Sequence, residues 1–271
     1  MPLAYGLIHP VDLAFVDLPS DLEGLRIAHL SDLHVTRHAR RHDRLITQLT
    51  SLRFDLALFT GDYMTRHRDA HEAAAVLRRI TEAINPRLGM FGVFGNHDSA
   101  TFKDLVKDIG IHWLGNGVHA LPRVPIVLFS VDPLDGQGED STAMLLNHNL
   151  NESGVDPKQC LRLMLAHYPS WYTTAADLGV HLLLSGHTHG GQIRTPTRRS
   201  LLNACDLPLR HSTGVIRHRD TLLAISKGLG EVGYPGTRFR LFCSPHVPVY
   251  TLRRGPTLGQ HTAGLTQVVS W

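Results

Sequence analysis

The sequence predicts an α/β fold, and three observations predict it. Apolar runs that read as buried strands alternate with longer amphipathic stretches through most of the 271 residues. Five of those runs end in a cluster of Asp, Asn or His. Past residue 190 the alternation stops, and only short, turn-bounded strands remain.

Taken in order, residues 25–30 form a short apolar run ending at Ser31-Asp32, and a helical pattern follows over about 40–52. Residues 56–60 are the second strand and end at Gly61-Asp62. Over 67–84 the Ala and Arg content and the stripe Ala73, Val76, Leu77, Ile80 predict a helix, which Pro86 stops. Residues 90–94 are the third strand, ending at Gly95-Asn96-His97-Asp98. The pattern then loosens into a helix at 101–109, a strand at 124–131 and a helix at 141–149. A strand at 161–166 ends at His167, and one at 182–185 ends at Gly186-His187-Thr188-His189. Residues 222–226, 239–242 and 247–252 read as the closing strands. No Pro-, Gly- or Ser-rich linker interrupts the chain, so it reads as a single domain over 1–271 with its core at about 25–253 and a flexible tail at 254–271.

Composition narrows the function. With 42% hydrophobic and 19% charged residues the chain is not of disordered type, and a net charge of +3 does not call for nucleic acid as a partner. Cys160, Cys205 and Cys243 lie far apart without a C-x-x-C pair, so neither a zinc ribbon nor a disulfide framework is readable. The stretch 3–18 is broken by Pro10, Asp12 and Asp17 and has no basic start, which argues against a signal peptide or anchor. No run approaches the roughly 20 apolar residues that span a bilayer. The expected location is cytoplasmic, with peripheral contact at the inner membrane face left open.

The excess of histidine, 19 residues, is the compositional feature that needs explaining. In open α/β sheets, ligands sit at the carboxyl ends of strands. If the five strands share one sheet, Asp32, His34, Asp62, Asn96, His167, His187 and His189 converge. Carboxylate, amide and imidazole without thiolate suit Mn, Zn or Fe. Seven donors are too many for one tetrahedral ion and the right number for two, because one Asp can bridge two cations about 3.5–4 Å apart. The i, i+2 spacing in Asp32-Leu33-His34 and His187-Thr188-His189 puts two donors on one side of an extended segment.

The ordered set D-x-H, G-D, G-N-H-D, a lone H and G-H-T-H resembles the calcineurin-like metallophosphoesterases over about 25–253. The fuller strings SDLH, GNHD and GHTHGGQIR are similar to one bacterial branch, which includes phosphodiesterases and enzymes similar to the UDP-2,3-diacylglucosamine pyrophosphohydrolases of lipid A synthesis. The resemblance implies a two-sheet β-sandwich flanked by helices, a four-layer αββα fold. It implies that Asp32, His34 and His189 bind one metal, that Asn96, His167 and His187 bind a second, and that Asp62 bridges them. His97 would face the leaving-group oxygen, while a metal-bridging hydroxide attacks phosphorus in line. Many members carry an acid three positions after the bridging Asp, but here Tyr63, Met64 and Thr65 follow, and Thr65 cannot support an imidazolium as a carboxylate would. Asp98 is then the carboxylate expected to act with the catalytic His97, although adjacency in sequence does not turn it toward the ring.

Other features have blander readings. His9, His71, His112, His119, His148, His181, His211, His218, His246 and His261 read as structural, and His29 as a buried histidine with a hydrogen-bond partner. Gly228 to Gly233 matches G-x-G-x-x-G, but Tyr234-Pro235-Gly236 prevents the helix that must hold a pyrophosphate, so it reads as a turn at the site edge. The run Arg37, Arg40, Arg41, Arg44 is either a solvated helix face or a recognition surface for a second phosphate or an anionic membrane. Leu201-Leu202 and Leu207-Pro208-Leu209, flanking Cys205, either pack onto the fold or meet an acyl chain or membrane. Asn151-Glu152-Ser153 fits a glycosylation sequon and carries no weight without a secretory signal.

The function expected is hydrolysis of a phosphodiester or pyrophosphate with two divalent or mixed-valence ions, on UDP-2,3-diacylglucosamine or a related lipid-linked substrate. A general or nucleotide phosphodiesterase without a lipid role is the alternative among enzymes. A catalytically inactive, metal-stabilised scaffold is the alternative from another class, and the intact His97 and ligand set count against it.

Overall fold

A computed structural model describes residues 6–135, 138–152, 154, 156, 159–233, 239–259 and 264–271; Tyr234, Pro235, Gly236, Ser153 and His261 lie outside the described residues. In chain order the elements are β1 (Ile8–Phe15), β2 (Arg26–Leu30), α1 (Arg40–Thr50), β3 (Leu56–Thr60), α2 (Ala70–Glu82), β4 (Met90–Val93), α3 (Ala100–Val106), β5 (His112–Trp113), β6 (Gly117–Ala120) and β7 (Ile126–Val131). They continue as α4 (Glu139–Glu152), β8 (Leu161–Ala166), α5 (Tyr172–Asp177), β9 (Leu182–Ser185), β10 (Gly214–His218), β11 (Thr221–Ile225), β12 (Val247–Arg254) and β13 (Leu265–Val269).

The strands form two sheets, ordered β1-β12-β2-β3-β4-β5 and β13-β10-β11-β9-β8-β7-β6. Each central strand is apolar on both faces and feeds two cores, as its period of two requires. Ile27, Leu56, Leu58 and Val93 of the first sheet meet Leu163, Leu165, Leu182, Leu184 and Leu222 of the second in a core between the sheets. On the outer face of the first sheet, Ala28, Leu30, Ala57 and Phe59 pack against Leu45 and Leu49 of α1, the Ala73, Val76, Leu77, Ile80 stripe of α2, and Phe102 and Val106 of α3. On the outer face of the second, Val127, Phe129, Met164, Leu183 and Ile225 pack against Leu146 of α4 and Ala175 of α5. Burying each such large aliphatic or aromatic side chain contributes about 1.5–3 kcal/mol. The order of layers is helix, sheet, sheet, helix.

The single-sheet premise for the five donor strands is therefore corrected. Strands β2, β3 and β4 lie in the first sheet, and β8 and β9 in the second. All five run parallel within their sheets, and their carboxyl ends meet across the sandwich, where the His167 ring Nδ1 lies 2.8 Å from the Thr60 carbonyl.

Three further expectations change. Residues 239–242 do not form a strand; Leu241 makes only an isolated bridge to Ile193, because Phe239 and Phe242 stand at the surface, 47% and 57% exposed, with no sheet to join. The tail expected at 254–271 instead carries β13, paired antiparallel with β10 from Val215↔Val269 to His218↔Leu265, and the Arg194 guanidinium donates to the Trp271 carbonyl at 2.9 Å. The N-terminal stretch around Pro10 is a strand, β1, parallel to β12 along its whole length. It is the edge of its sheet, where a proline's missing N–H costs no ladder bond. His29 is fully buried as expected, with Nε2 2.9 Å from Thr60 Oγ1 and Nδ1 3.4 Å from the Tyr250 hydroxyl.

Candidate metal centre

Five of the seven donor residues predicted from the strand ends sit in left-handed backbone. Their φ angles are 50° for Asp32, 42° for His34, 58° for Asp62, 68° for His187 and 52° for His189. Such angles cost non-glycine residues free energy and persist where surrounding structure over-determines them. Here the determinants are visible. The Asp32 N–H donates to the Gly61 carbonyl, the His34 N–H to the Asp62 carbonyl, and the Val35 N–H to the Tyr63 carbonyl, so the loops after β2 and β3 are tied rung by rung. Across the sandwich, the His187 N–H donates to Asp32 Oδ1 at 3.0 Å and the Gly186 N–H to the His167 carbonyl.

The result is two groups of ligand atoms, each within 4.8 Å: Asp32, His34, Asp62 and His189, and Asp62, His167 and His187. Asp62 belongs to both. Its Oδ2 lies 3.2 Å from His34 Nε2 and 3.2 Å from His167 Nε2, and its Oδ1 accepts the His97 N–H at 2.9 Å. Asn96 stands exposed on the loop that carries His97, between Gly95 and His97. His34 Nε2 is buried and makes no hydrogen bond. A buried nitrogen without a partner is costly unless something else takes its lone pair.

Burial opposes ionisation of Asp62, but the charge and hydrogen bond of His167, with the His34 ring 3.2 Å away, outweigh it and hold the carboxyl well below the usual range. For His167, burial is likewise outweighed by Asp62, and the imidazole is raised to about 9. His189 goes the other way: burial and the charges of His34 and Arg240 keep it neutral, with its pKa well below 6.5. His167 Nε2 and Asp62 Oδ2 thus face each other at 3.2 Å, each favouring the charged form of the other.

The imidazoles are oriented by backbone carbonyls. His167 Nδ1 is 2.8 Å from the Thr60 oxygen, His187 Nε2 is 3.1 Å from the Ala204 oxygen, and His97 Nδ1 is 3.0 Å from the Thr65 oxygen. The His97 ring stands edge-on to His34 with centroids 4.9 Å apart.

The expectation that Asp98 acts catalytically beside His97 is not what its contacts serve. Its Oδ1 accepts the N–H groups of Tyr63 and Met64 at 2.9 and 3.3 Å, and its Oδ2 those of Asp62 and Gly95 at 2.9 and 2.8 Å. It is 4% exposed, so both oxygens are committed to the loops that hold Asp62 and His97. Burial and the Asp62 charge raise it to about 7 against the pull of those N–H groups.

Two further elements build the site, one read from the sequence as a turn at the site edge and one not. The turn at Gly228 and Gly230 lies against the Asp32-His34 loop, and the Leu229 and Gly230 N–H groups both donate to the Asp32 carbonyl. A Cβ at either glycine would collide with Cβ of Asp32 or of His34, which is why the G-x-G spacing occurs here without a dinucleotide. Arg240 binds that turn to the ligand loop, donating to the carbonyls of Lys227, Gly230 and His189. Nothing marks Arg240 in the sequence, since its shortest contacts are to backbone oxygens. The 201–209 loop divides: Leu207 is buried, while Leu201, Leu202 and Leu209 are 54%, 59% and 48% exposed.

Among the described residues no helix is long and apolar enough to cross a membrane. The chain is 29% identical over 211 residues to the Uncharacterized metallophosphoesterase YkoQ of Bacillus subtilis, covering 77% of each. It is 27% identical over 280 residues to the UDP-2,3-diacylglucosamine pyrophosphatase LpxG of Chlamydia trachomatis, covering 83% of this chain and 82% of that one. To the Phosphodiesterase YaeI of Escherichia coli it is 27% identical over 239 residues, with 84% and 82% covered. The fold is similar to the solved structure of Haemophilus influenzae NAD nucleotidase, with TM-score 0.50 and 13% identity over 75% of this chain and 45% of that one. Residues 25–191, more than half of the chain and all but the turn of the ligand-bearing loops, match the calcineurin-like phosphoesterases, and the chain belongs to that family of phosphohydrolases.

Proposed function

We propose that the chain is a dinuclear metal-dependent hydrolase of phosphodiesters or pyrophosphates. The observation that carries this reading is the double membership of Asp62 in the two ligand groups. Asp32, His34, Asp62 and His189 would hold one ion, and Asp62, Asn96, His167 and His187 the other. The fit is chemical: the donors are oxygen and imidazole nitrogen alone, suited to Mn, Zn or Fe, and His34 Nε2 has no hydrogen bond to give up. Ions held by these residues would lower the pKa of a bound water and offset charge on the phosphoryl oxygens.

The chain's own residues prepare the site. The Thr60 carbonyl keeps a proton on His167 Nδ1 and so commits Nε2 to the ligand role, and the Ala204 carbonyl commits His187 Nδ1 in the same way. With its Nδ1 turned to the Thr65 carbonyl, His97 would present Nε2 toward the leaving-group oxygen. Asp98 is a positioning residue, bracing the loops of Asp62 and His97.

A lipid-linked substrate is the finer reading. It is supported by the printed activity of LpxG and by exposed Leu201 and Leu202 in the loop whose Ala204 carbonyl meets His187. Such a substrate places the enzyme at a membrane surface. The likeness to YaeI favours the second reading, a general phosphodiesterase. A screen of UDP-2,3-diacylglucosamine, cyclic nucleotides, glycerophosphodiesters and bis-p-nitrophenyl phosphate with Mn, Zn and Fe separates them. Turnover of the lipid alone supports the first reading and turnover of the water-soluble diesters alone the second. No turnover by metal-loaded protein would leave a scaffold.

A further inference from the structure

The segment that leaves the Asp32-His34 loop and enters α1 forms one wall of a cavity of about 360 Å³, lined by His34, Thr36, Arg37, Arg41 and Glu231. His34 is a ligand-group residue, so this cavity adjoins the candidate metal centre. Its side chains carry two positive charges and one negative. Arg37 is exposed and has no ion-pair partner among the described residues. Arg41 meets Glu231 through one long contact, NH1 to Oε1 at 3.4 Å, with both side chains 30% exposed. Single contacts of that length and exposure are weak. Arg41 Nε is buried and has no hydrogen-bond partner. A guanidinium binds an oxyanion best through two parallel N–H groups, and Arg41 has an unused donor.

We infer that this cavity is an anion subsite for the second, non-scissile phosphoryl group of a diphosphate diester, bound by Arg37 and Arg41, with Glu231 as the internal anion it displaces. The inference rests on the proposed phosphohydrolase reading and deepens it, because a phosphodiester with a single phosphate has no group to place there. Its location explains the selectivity it confers: the subsite adjoins His34, so a substrate whose reacting phosphate lies at the metal centre reaches it only with an adjacent anion. Volume agrees, since about 360 Å³ exceeds one phosphoryl group and lies at the small end of ligand pockets.

The test compares inorganic pyrophosphate with orthophosphate by calorimetry on metal-loaded protein, and UDP-N-acetylglucosamine with bis-p-nitrophenyl phosphate in turnover. Wild-type protein should bind pyrophosphate at least about 10-fold more tightly than orthophosphate. In the double variant Arg37→Gln/Arg41→Gln that preference should vanish. Where the diphosphate diester is turned over, its kcat/KM should fall by about 10- to 100-fold while bis-p-nitrophenyl phosphate stays within about 3-fold. Glu231→Gln should shift pyrophosphate binding in the opposite direction, severalfold tighter, a gain that loosened folding would not produce. Equal affinity for the two anions in wild type, an unchanged preference in the double variant, or equal losses on both substrates would overturn the subsite. Failure of wild type to hydrolyse any diester would instead count against the phosphohydrolase reading, and the calorimetric comparison would still decide whether the anion site exists.

Discussion

The carbonyl oxygen of Thr65 accepts the Nδ1 proton of His97 at 3.0 Å. In many relatives an acidic side chain would be expected at that position, and here the backbone of the residue that replaces it makes the contact. A carbonyl fixes tautomer and orientation as a carboxylate does, but without a full negative charge to hold the imidazolium.

His97→Ala should therefore retain metal and lose activity in proportion to how much help the leaving group needs. On an alkyl diester the expected loss is about 100-fold or more, and on bis-p-nitrophenyl phosphate about 10-fold or less. Thr65→Ala keeps the carbonyl and should leave that selectivity unchanged. Equal losses on both esters in His97→Ala would rule out leaving-group assistance.

Asp98→Asn should act through the loops it braces. The amide offers one oxygen where two carboxylate oxygens accept N–H groups of Asp62, Tyr63, Met64 and Gly95, and it turns an NH2 toward further donors. Global stability should fall by about 2–4 kcal/mol in denaturant titration, with metal affinity weakened about 10- to 100-fold. Once metal is saturating, the ratio of alkyl to nitrophenyl ester rates should match wild type. A changed ratio would return Asp98 to the chemistry.

Much of this was legible in the sequence because strand ends are local. Asp32, Asp62, His167 and His189 each follow an apolar run that could be recognised without knowing its neighbours. That the runs belong to two sheets was not legible from periodicity, since β3 and β8 are apolar on both faces and either could neighbour the other. Contacts made by backbone atoms were invisible for a different reason: Arg240 reaches main-chain carbonyls, and the Thr65 carbonyl that holds His97 is itself a group every residue carries. Residues 239–242 misled because apolar side chains near an active-site rim resemble a strand in composition. The closing strand β13 was missed because its five residues are only half-buried and draw order from β10.

Stability of the metal-free protein should fall in mild acid. Burial holds His29 at about 3, and burial first, with neighbouring cations second, holds His42 and His181 at about 4. The unfolded chain takes up protons below about pH 6.5 that these folded sites refuse. Their contribution is thus complete above that pH and is lost progressively as pH falls toward 3. His167, raised to about 9, and Asp98, raised to about 7, act in the opposite sense, because the folded protein binds protons there more tightly than the unfolded chain, and they offset part of the loss without reversing it. For His29 alone the loss at pH 5 is on the order of 2 kcal/mol. Urea titrations at pH 7 and pH 5 on chelator-treated protein should show the drop, and His29→Gln should remove part of it. Equal stability at the two pH values would contradict the neutral buried histidines.

The most direct test of the central claim is the metal content of wild type and Asp62→Ala, measured by elemental analysis after equilibration with Mn, Zn or Fe. Because Asp62 Oδ2 lies 3.2 Å from both His34 and His167 nitrogens, its loss should strip both halves of the centre together. Wild type should carry two ions per chain, and the variant should lose them along with turnover. A variant that keeps two ions and near-normal turnover would contradict a centre shared through Asp62.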